Sequence, residues 1–340
     1  MTTKATTSRP TIRTVAEDAG VSRSAVSKVL CNAYGVSPEL RERVMASIKR
    51  LDYRPQTSAR AMRGRTYTWG VLASEIHNPF FADVLAGIGR RLSDTPYKPF
   101  LGVSQSSDQN ESSLAEAMID RQVDGLIWIA PRVTGEVLHR IAGKVPLVVV
   151  AFHQASSIDF DTVNVDDEMA TRMVVDHLRL SGLSRISMVN VNWPERVGSV
   201  PQLRERGYRN AMQDHGLHEH VNVVYSEESA VDVGAITAGL LGQPVRPEAI
   251  MCWNDFAALE VLSEAKRMGI DVPRDLAIVG FDNTSFCRLA QNSLTSIDQF
   301  AGSLGEKAAE MLLDRLDGRV DAAHVVLEPE LHIRGSSTKE

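Results

Sequence analysis

Arg23, Ser24, Ser27 and Lys28 sit inside the stretch GVSRSAVSKVL, residues 20–30. At helical spacing they share one side, while Val26, Val29 and Leu30 share the other. Arg and Lys donate to phosphate oxygens and guanine edges; a small serine lets the backbone approach closely and donates as well. Chemistry of this kind is recognition of a polyanion, and the distribution of charge agrees. The chain of 340 residues has a formal net charge of -6, yet residues 1–65 hold 13 Lys and Arg against five acids, a net +8. The remainder is net -14. A basic module joined to an acidic body is expected where one end meets a nucleic acid.

The elements that must position these side chains are legible around them. Ile12, Val15, Ala16 and Ala19 form the face of a short helix that Gly20 ends, and Ser22 is placed to cap the next. Two helices joined by a tight glycine turn form a helix-turn-helix. In SPELRERVMASIKRLDY, Ser37 reads as an N-cap, Pro38 as the first helical residue, and Leu40, Val44, Ile48 and Leu51 as the stripe of a third helix closing a small core. The segment RPQTSARAMRGRT comes next, at 54–66. Its small residues Ala59 and Ala61, its apolar Met62 and the cations Arg60, Arg63 and Arg65 suit a minor-groove wedge.

Residues 11–66 resemble the DNA-binding headpiece of the lactose-repressor (LacI/GalR) family. VAEDAGVSRSAVSKVL, VSPELRERV, LDYRP and ARAM match its motifs in order and spacing. The chain beyond residue 66 is also similar to that family, so the resemblance covers nearly the whole chain. It implies a DNA contact set of Thr11, Ser22, Arg23, Ser24, Ser27, Lys28 and Ser37, with Ala59, Arg60 and Met62 in a hinge helix that folds on the operator. Three positions depart from the family pattern: Cys31 for Asn, Gln56 for Asn and Met62 for Leu. Met remains an adaptable apolar wedge.

Past Tyr67 short apolar runs such as DGLIWIA, PLVVVAF and LAIVGFD alternate with amphipathic helical stretches such as FADVLAGIGRRL. That pattern predicts parallel sheets covered on both faces, and the number of runs predicts two doubly wound subdomains with a cleft at the carboxyl ends of their strands. The resemblance implies the periplasmic-binding-protein-like core of the family. The fold class is thus an N-terminal all-α helix-turn-helix headpiece plus an α/β core of two parallel-sheet subdomains. The expected limits are a tail at 1–10, the helix-turn-helix at 11–54, the hinge at 55–66 and the core at 67–340. Within the core the N-subdomain spans about 67–164 and 295–322, and the C-subdomain about 165–294 and 323–340.

Asn78 both donates and accepts, Phe80 offers a flat apolar face to a sugar ring or planar base, and Asp282 is an acceptor matched to vicinal hydroxyls. Asn254 comes directly after the run AIMCW, and Arg204 precedes Gly207 by three residues. Singly, each reads more readily as a cap or turn residue than as a ligand contact. The resemblance implies that Asn78, Phe80, Arg204, Asn254 and Asp282 bind an effector. Two positions depart from the commonest sugar-binding pattern: Ser229 falls where a stacking aromatic is common, and Ala151 where a polar or acidic residue is common. Trp128, Phe152, Trp193 and Trp253 are candidates for the missing wall.

No phosphate-binding loop, nucleophile elbow or HExxH motif is present, and GIGRRL lies inside a helical pattern. HGLHEH at 215–220 reads as solvated surface rather than a metal site. Cys31, Cys252 and Cys287 lack CxxC spacing. The expectation is a non-enzymatic regulator without cofactor or metal, acting as a homodimer on palindromic operator DNA under the control of a sugar-like small molecule. Without a signal peptide or membrane span it is expected in the cytoplasm at the nucleoid. HIRGSSTKE carries no leucine heptad for a tetramer. The alternatives are a regulator of the same fold answering to a protein partner, and a solute-binding protein, which the basic headpiece disfavours.

Overall fold

The computed structural model describes residues 10–30, 33–53, 64–105, 107–191, 193, 199–227 and 230–338. The sequence-based assignments at Cys31, Gln56, Ala59, Arg60, Met62 and Ser229 lie outside these residues. The chain divides into two compact units, Met1–Thr66 and Tyr67–Glu340.

In the first unit, helices α1 (Ile12–Asp18), α2 (Arg23–Leu30) and α3 (Pro38–Arg50) enclose a core of Val15, Ala16, Ala19, Val26, Val29, Val44 and Tyr53. Thr11 and Thr14 cap the start of α1 reciprocally, each side chain serving the other's backbone N–H. Gly20 makes the turn with φ +64, a left-handed conformation that a side chain disfavours. Ser47 of α3 donates to Val15 O and, at 2.6 Å, to Asp18 Oδ2, tying the third helix to the end of the first. Arg50 also holds Asp18, and together these bonds keep that carboxyl below its ordinary range.

The second unit contains two six-stranded sheets. The first, all parallel, has the order β11-β5-β4-β3-β1-β2: β1 (Thr68–Ala73), β2 (Lys98–Val103), β3 (Gly125–Ile129), β4 (Leu147–Val150), β5 (Asp161–Val165) and β11 (His324–Leu327). Its faces are covered by α4 (Pro79–Leu92) and α11 (Ala301–Leu316) on one side and by α5 (Asp108–Asp120) and α6 (Gly135–Ala142) on the other. The second sheet has the order β12-β10-β9-β8-β6-β7: β6 (Ile186–Val191), β7 (Asn222–Ser226), β8 (Ala249–Cys252), β9 (Ala277–Phe281), β10 (Thr295–Asp298) and β12 (Glu330–His332), the last antiparallel to β10. Helices α7 (Asp167–Leu180) and α8 (Val200–Asp214) pack on one face, and α9 (Ala230–Leu241) and α10 (Asp255–Arg267) on the other. Central strands such as β3, β4 and β9 are buried along their whole length, which is why they read as unbroken apolar runs.

Two of the expected subdomain limits shift by one strand. β10 pairs with β9 and belongs to the second sheet, so the chain crosses back after Asp298 rather than at 294. β11 pairs with β5 and belongs to the first sheet, so the last crossing comes after Leu327 rather than at 322. Both are four-residue strands. Their apolar pattern signals a strand but not which of two similar sheets it joins.

Candidate functional site

In the helical unit, Ser22 accepts from the Ala25 N–H at 3.1 Å and lies 2.9 Å from Ser24 Oγ, so it serves as the cap. Ser37 accepts from the Leu40 N–H in the same way. Arg23, Ser24 and Lys28 are exposed on α2 and Ser27 is half-buried, opposite the buried Val26 and Val29. No acid occupies the first turn of α2, so its N-terminal amides add positive potential beside Arg23. Thr11, Ser22 and Ser37 each use one hydroxyl lone pair on a backbone N–H at a helix start.

All five residues expected to bind an effector line one cleft of ≈ 630 Å³ between the two sheets of the larger unit. Asn78 lies after β1 and caps α4, its Oδ1 accepting from the Phe80 N–H at 3.0 Å. Its amide donates across the cleft to Asp282 Oδ2 at 2.8 Å, joining the two subdomains. Asn254 caps α10 by accepting from the Ala257 N–H at 2.9 Å. Both asparagines therefore carry the cap role and also face the cleft. Phe80 is mostly buried, edge-on to Phe81 with ring centroids 5.5 Å apart.

Asp282 lies directly after β9 with φ 109, outside ordinary L-residue space, in the class of backbone strain found at binding sites. It also accepts from the Gln299 amide. Burial pushes its carboxyl up to about 7, with the charge of Asp255 adding to the rise; Arg204 and the two amides oppose it. Asp255 is itself buried, and its three donors are uncharged: the Thr284 N–H at 2.7 Å, Ser296 Oγ at 2.6 Å and Cys287 Sγ at 3.0 Å. Burial raises this carboxyl as well. A Cβ on Gly280 would stand 2.3 Å from Asp255 Oδ1, so glycine at this strand position admits the carboxylate.

Arg204, on α8, lies with its guanidinium 3.4 Å from the centroid of the Phe281 ring. Its Nε donates to Asp167 Oδ1 at 2.7 Å and its Nη1 to the Trp253 carbonyl. Of the four candidate aromatic walls, Trp128 and Phe152 are core residues of the first sheet, whereas Trp193 and Trp253 line the cleft. The guanidinium of Arg132 stands 4.7 Å from the Trp193 ring.

Asp167, Asp255, Gln299 and Arg132 were not singled out by sequence reasoning. Asp167 reads as an ordinary acid in the first turn of a helix, and its pairing with an arginine 37 positions away leaves no local signal. HGLHEH ends in a short exposed turn at His218–His220, and His215 pairs with Asp176 at 2.6 Å.

Residues 11–56 match the bacterial regulatory proteins of the lacI family, and residues 175–337 match the periplasmic binding protein-like domain. The HTH-type transcriptional repressor CytR of Escherichia coli (strain K12) is 30% identical over 330 residues, 96% of each chain. The chain belongs to the LacI family of bacterial transcriptional regulators. The solved lac repressor dimer bound to operator and the anti-inducer ONPF has the same fold, with a TM-score of 0.84 at 23% identity over 98% of this chain and 100% of that one. A transcriptional regulator CelR–cellobiose complex matches with a TM-score of 0.71 at 26% identity, over 97% of this chain and 100% of that one. As a LacI-family member the protein is a DNA-binding regulator rather than an enzyme, with a helical DNA-binding unit and an effector-binding core. Among the described residues, no helix is long and apolar enough to cross a membrane.

Proposed function

We propose that the protein is a homodimeric repressor that binds a palindromic operator and is switched by a sugar-like small molecule in the cleft. The observation that carries the effector reading is the convergence of Asn78, Phe80, Arg204, Asn254 and Asp282 on one cleft between the subdomains. A fork of donors, an acceptor carboxyl, two amides and apolar ring surface form the mixture that binds a hydroxylated ring. The cellobiose bound by CelR is of that class. Arg23, Ser24, Ser27 and Lys28 of α2 read base edges and phosphates in the major groove, helped at its margins by Thr11, Ser22 and Ser37. Ala59, Arg60 and Met62 contribute through the hinge, with Met62 at the central base step. The sheets sit on either side of the cleft, so a ligand favouring one subdomain rotation transmits a difference in affinity to the DNA-bound state.

The test is selection of bound sequences from random duplex DNA, repeated with a panel of sugars, sugar phosphates and nucleobases. A palindrome whose recovery is lost or strengthened by one compound, with that response abolished in Asp282→Ala, supports the whole reading. A palindrome that no compound affects removes the small-molecule part and points to a protein partner. Recovery of no sequence removes the operator assignment.

A further inference from the structure

Helix α10 turns one face to the effector cleft, and Phe256, Ala257 and Glu260 line the cleft from it, just after the cap Asn254. Phe256 is exposed and tilts against Phe286, with ring centroids 6.1 Å apart. Glu260, four residues further along the helix, is half-buried. An aromatic ring and a carboxylate at this spacing are neighbours on a helix surface. Trp253, directly after β8, and Val233 of α9 add apolar surface to the same cleft.

The other charged groups of the cleft are committed. Asp282 accepts from Asn78 and Gln299, and Glu75 and Glu227 are engaged by contacts of their own. Arg204 is held by Asp167 and the Trp253 carbonyl, and Arg132 lies over the face of Trp193. Glu260 is the contrast: among the described residues, no hydrogen bond or ion pair engages its carboxylate. A carboxylate in a concave wall has given up part of its hydration, and a ligand that displaces the remaining water without bringing charge leaves it uncompensated. An ammonium compensates the charge, donates up to three hydrogen bonds and is attracted to an aromatic face. A phosphate at the same place is repelled.

We propose that Glu260, beside the Phe256 ring, is a subsite for a cationic nitrogen, and that the cleft selects an amino sugar over its neutral parent and over a sugar phosphate. Glu260 is then the specificity-determining residue, and the hydroxyls common to all three compounds fall to Asn78, Arg204 and Asp282. The selection of an amino sugar rests on the effector reading of the cleft; the cation subsite at Glu260 does not.

The experiment reads the two separately, with the full-length protein and its variant held at one pH so that the titration of Asp282 is common to every comparison. Protein labelled with ¹³C at the glutamate side-chain carboxyls gives a Glu260 signal, assigned by its loss in Glu260→Gln. Ethylammonium chloride should shift this signal saturably, whereas sodium chloride at the same ionic strength should not, and the carboxyls of surface glutamates should respond to neither. A Glu260 signal that ethylammonium moves no more than sodium does, or no more than it moves the surface glutamates, overturns the cation subsite. Calorimetry then compares D-glucose, D-glucosamine and D-glucose phosphate, and the matching galactose and mannose sets. In a set that binds, the amino sugar should be held about tenfold or more tightly than its parent and the phosphate more weakly than either, and Glu260→Gln should remove the advantage of the amine while sparing the parent. A parent that binds as tightly as its amino sugar, a phosphate that binds best, or an amine advantage that survives in Glu260→Gln overturns the selectivity. Binding of no compound in any set counts against the effector reading and the selectivity that rests on it, and leaves the subsite to be decided by the Glu260 signal.

Discussion

Asp282 is under two opposed demands: the proposed effector site calls for an acceptor there, and burial beside Asp255 makes a charged acceptor costly. Asn78 and Gln299 each donate to one of its two oxygens. Its pKa is raised from 3.8 to about 7, so across that interval the folded protein keeps a proton that the unfolded chain has lost. Stability attributable to this group therefore falls as pH rises from about 4 to about 7, with a slope approaching about 1.4 kcal/mol per pH unit. Asp282→Asn cannot titrate, and urea unfolding across this range should show a shallower pH dependence in the variant; parallel curves for the two proteins would refute the assignment. On α2 two neighbours should separate by readout. Arg23→Ala should cost about 1–3 kcal/mol of discrimination between operator bases, measured by competition with mutated sites. Ser22→Ala, which removes a cap and a contact at the margin of the groove, should lower stability by about 1 kcal/mol and weaken binding to all sites alike instead of shifting base preference.

At the scale of elements, α7 and α8 approach so closely that a Cβ on Gly207 would stand 2.1 Å from Thr171 Oγ1 and 2.6 Å from the Glu168 carbonyl oxygen. Gly207 lies one turn after Arg204, and this closeness is what brings Arg204 to Asp167. Gly207→Ala should force the helices apart, at a cost of about 1–3 kcal/mol in thermal unfolding. Gly89→Ala is the opposite case: it is helical and exposed, nothing lies within 4 Å of the added carbon, and the variant should gain up to about 1 kcal/mol. A destabilised Gly89→Ala or a neutral Gly207→Ala would contradict the packing of these helices. Elements of this kind were largely legible in the sequence, since buried parallel strands read as apolar runs and Ser37 with Pro38 marks a helix start. Sheet membership was less so, because β10 and β11 have the same local pattern whichever sheet they join. The candidate site divides likewise. Asn78, Asn254 and Asp282 lie just past strand ends and Arg204 sits on a patterned helix, whereas Asp167, Asp255 and Gln299 take their places only through tertiary contacts.

At the scale of the whole molecule, the separation of charge makes a prediction that no single residue carries. The first 65 residues are net +8 and the rest net -14, so the larger unit repels the polyanion that the smaller one binds. DNA affinity then depends on phosphate neutralisation by the helical unit, and cations released from the duplex oppose it as salt rises. If the headpieces of a dimer together neutralise about 6–10 phosphates, affinity should fall by roughly 10³–10⁵ between about 50 and about 200 mM salt. The larger unit has its own sheets and buried clusters, so residues 67–340 alone should fold, keep the cleft and show no DNA binding at either salt concentration. Filter binding with full-length protein and with this fragment measures both statements on the same operator. Steep salt dependence in the full chain with no binding by the fragment places the electrostatic contact in the headpiece. Binding by the fragment, or a full-length affinity that salt leaves unchanged, would place the contact elsewhere and break the link between charge distribution and function.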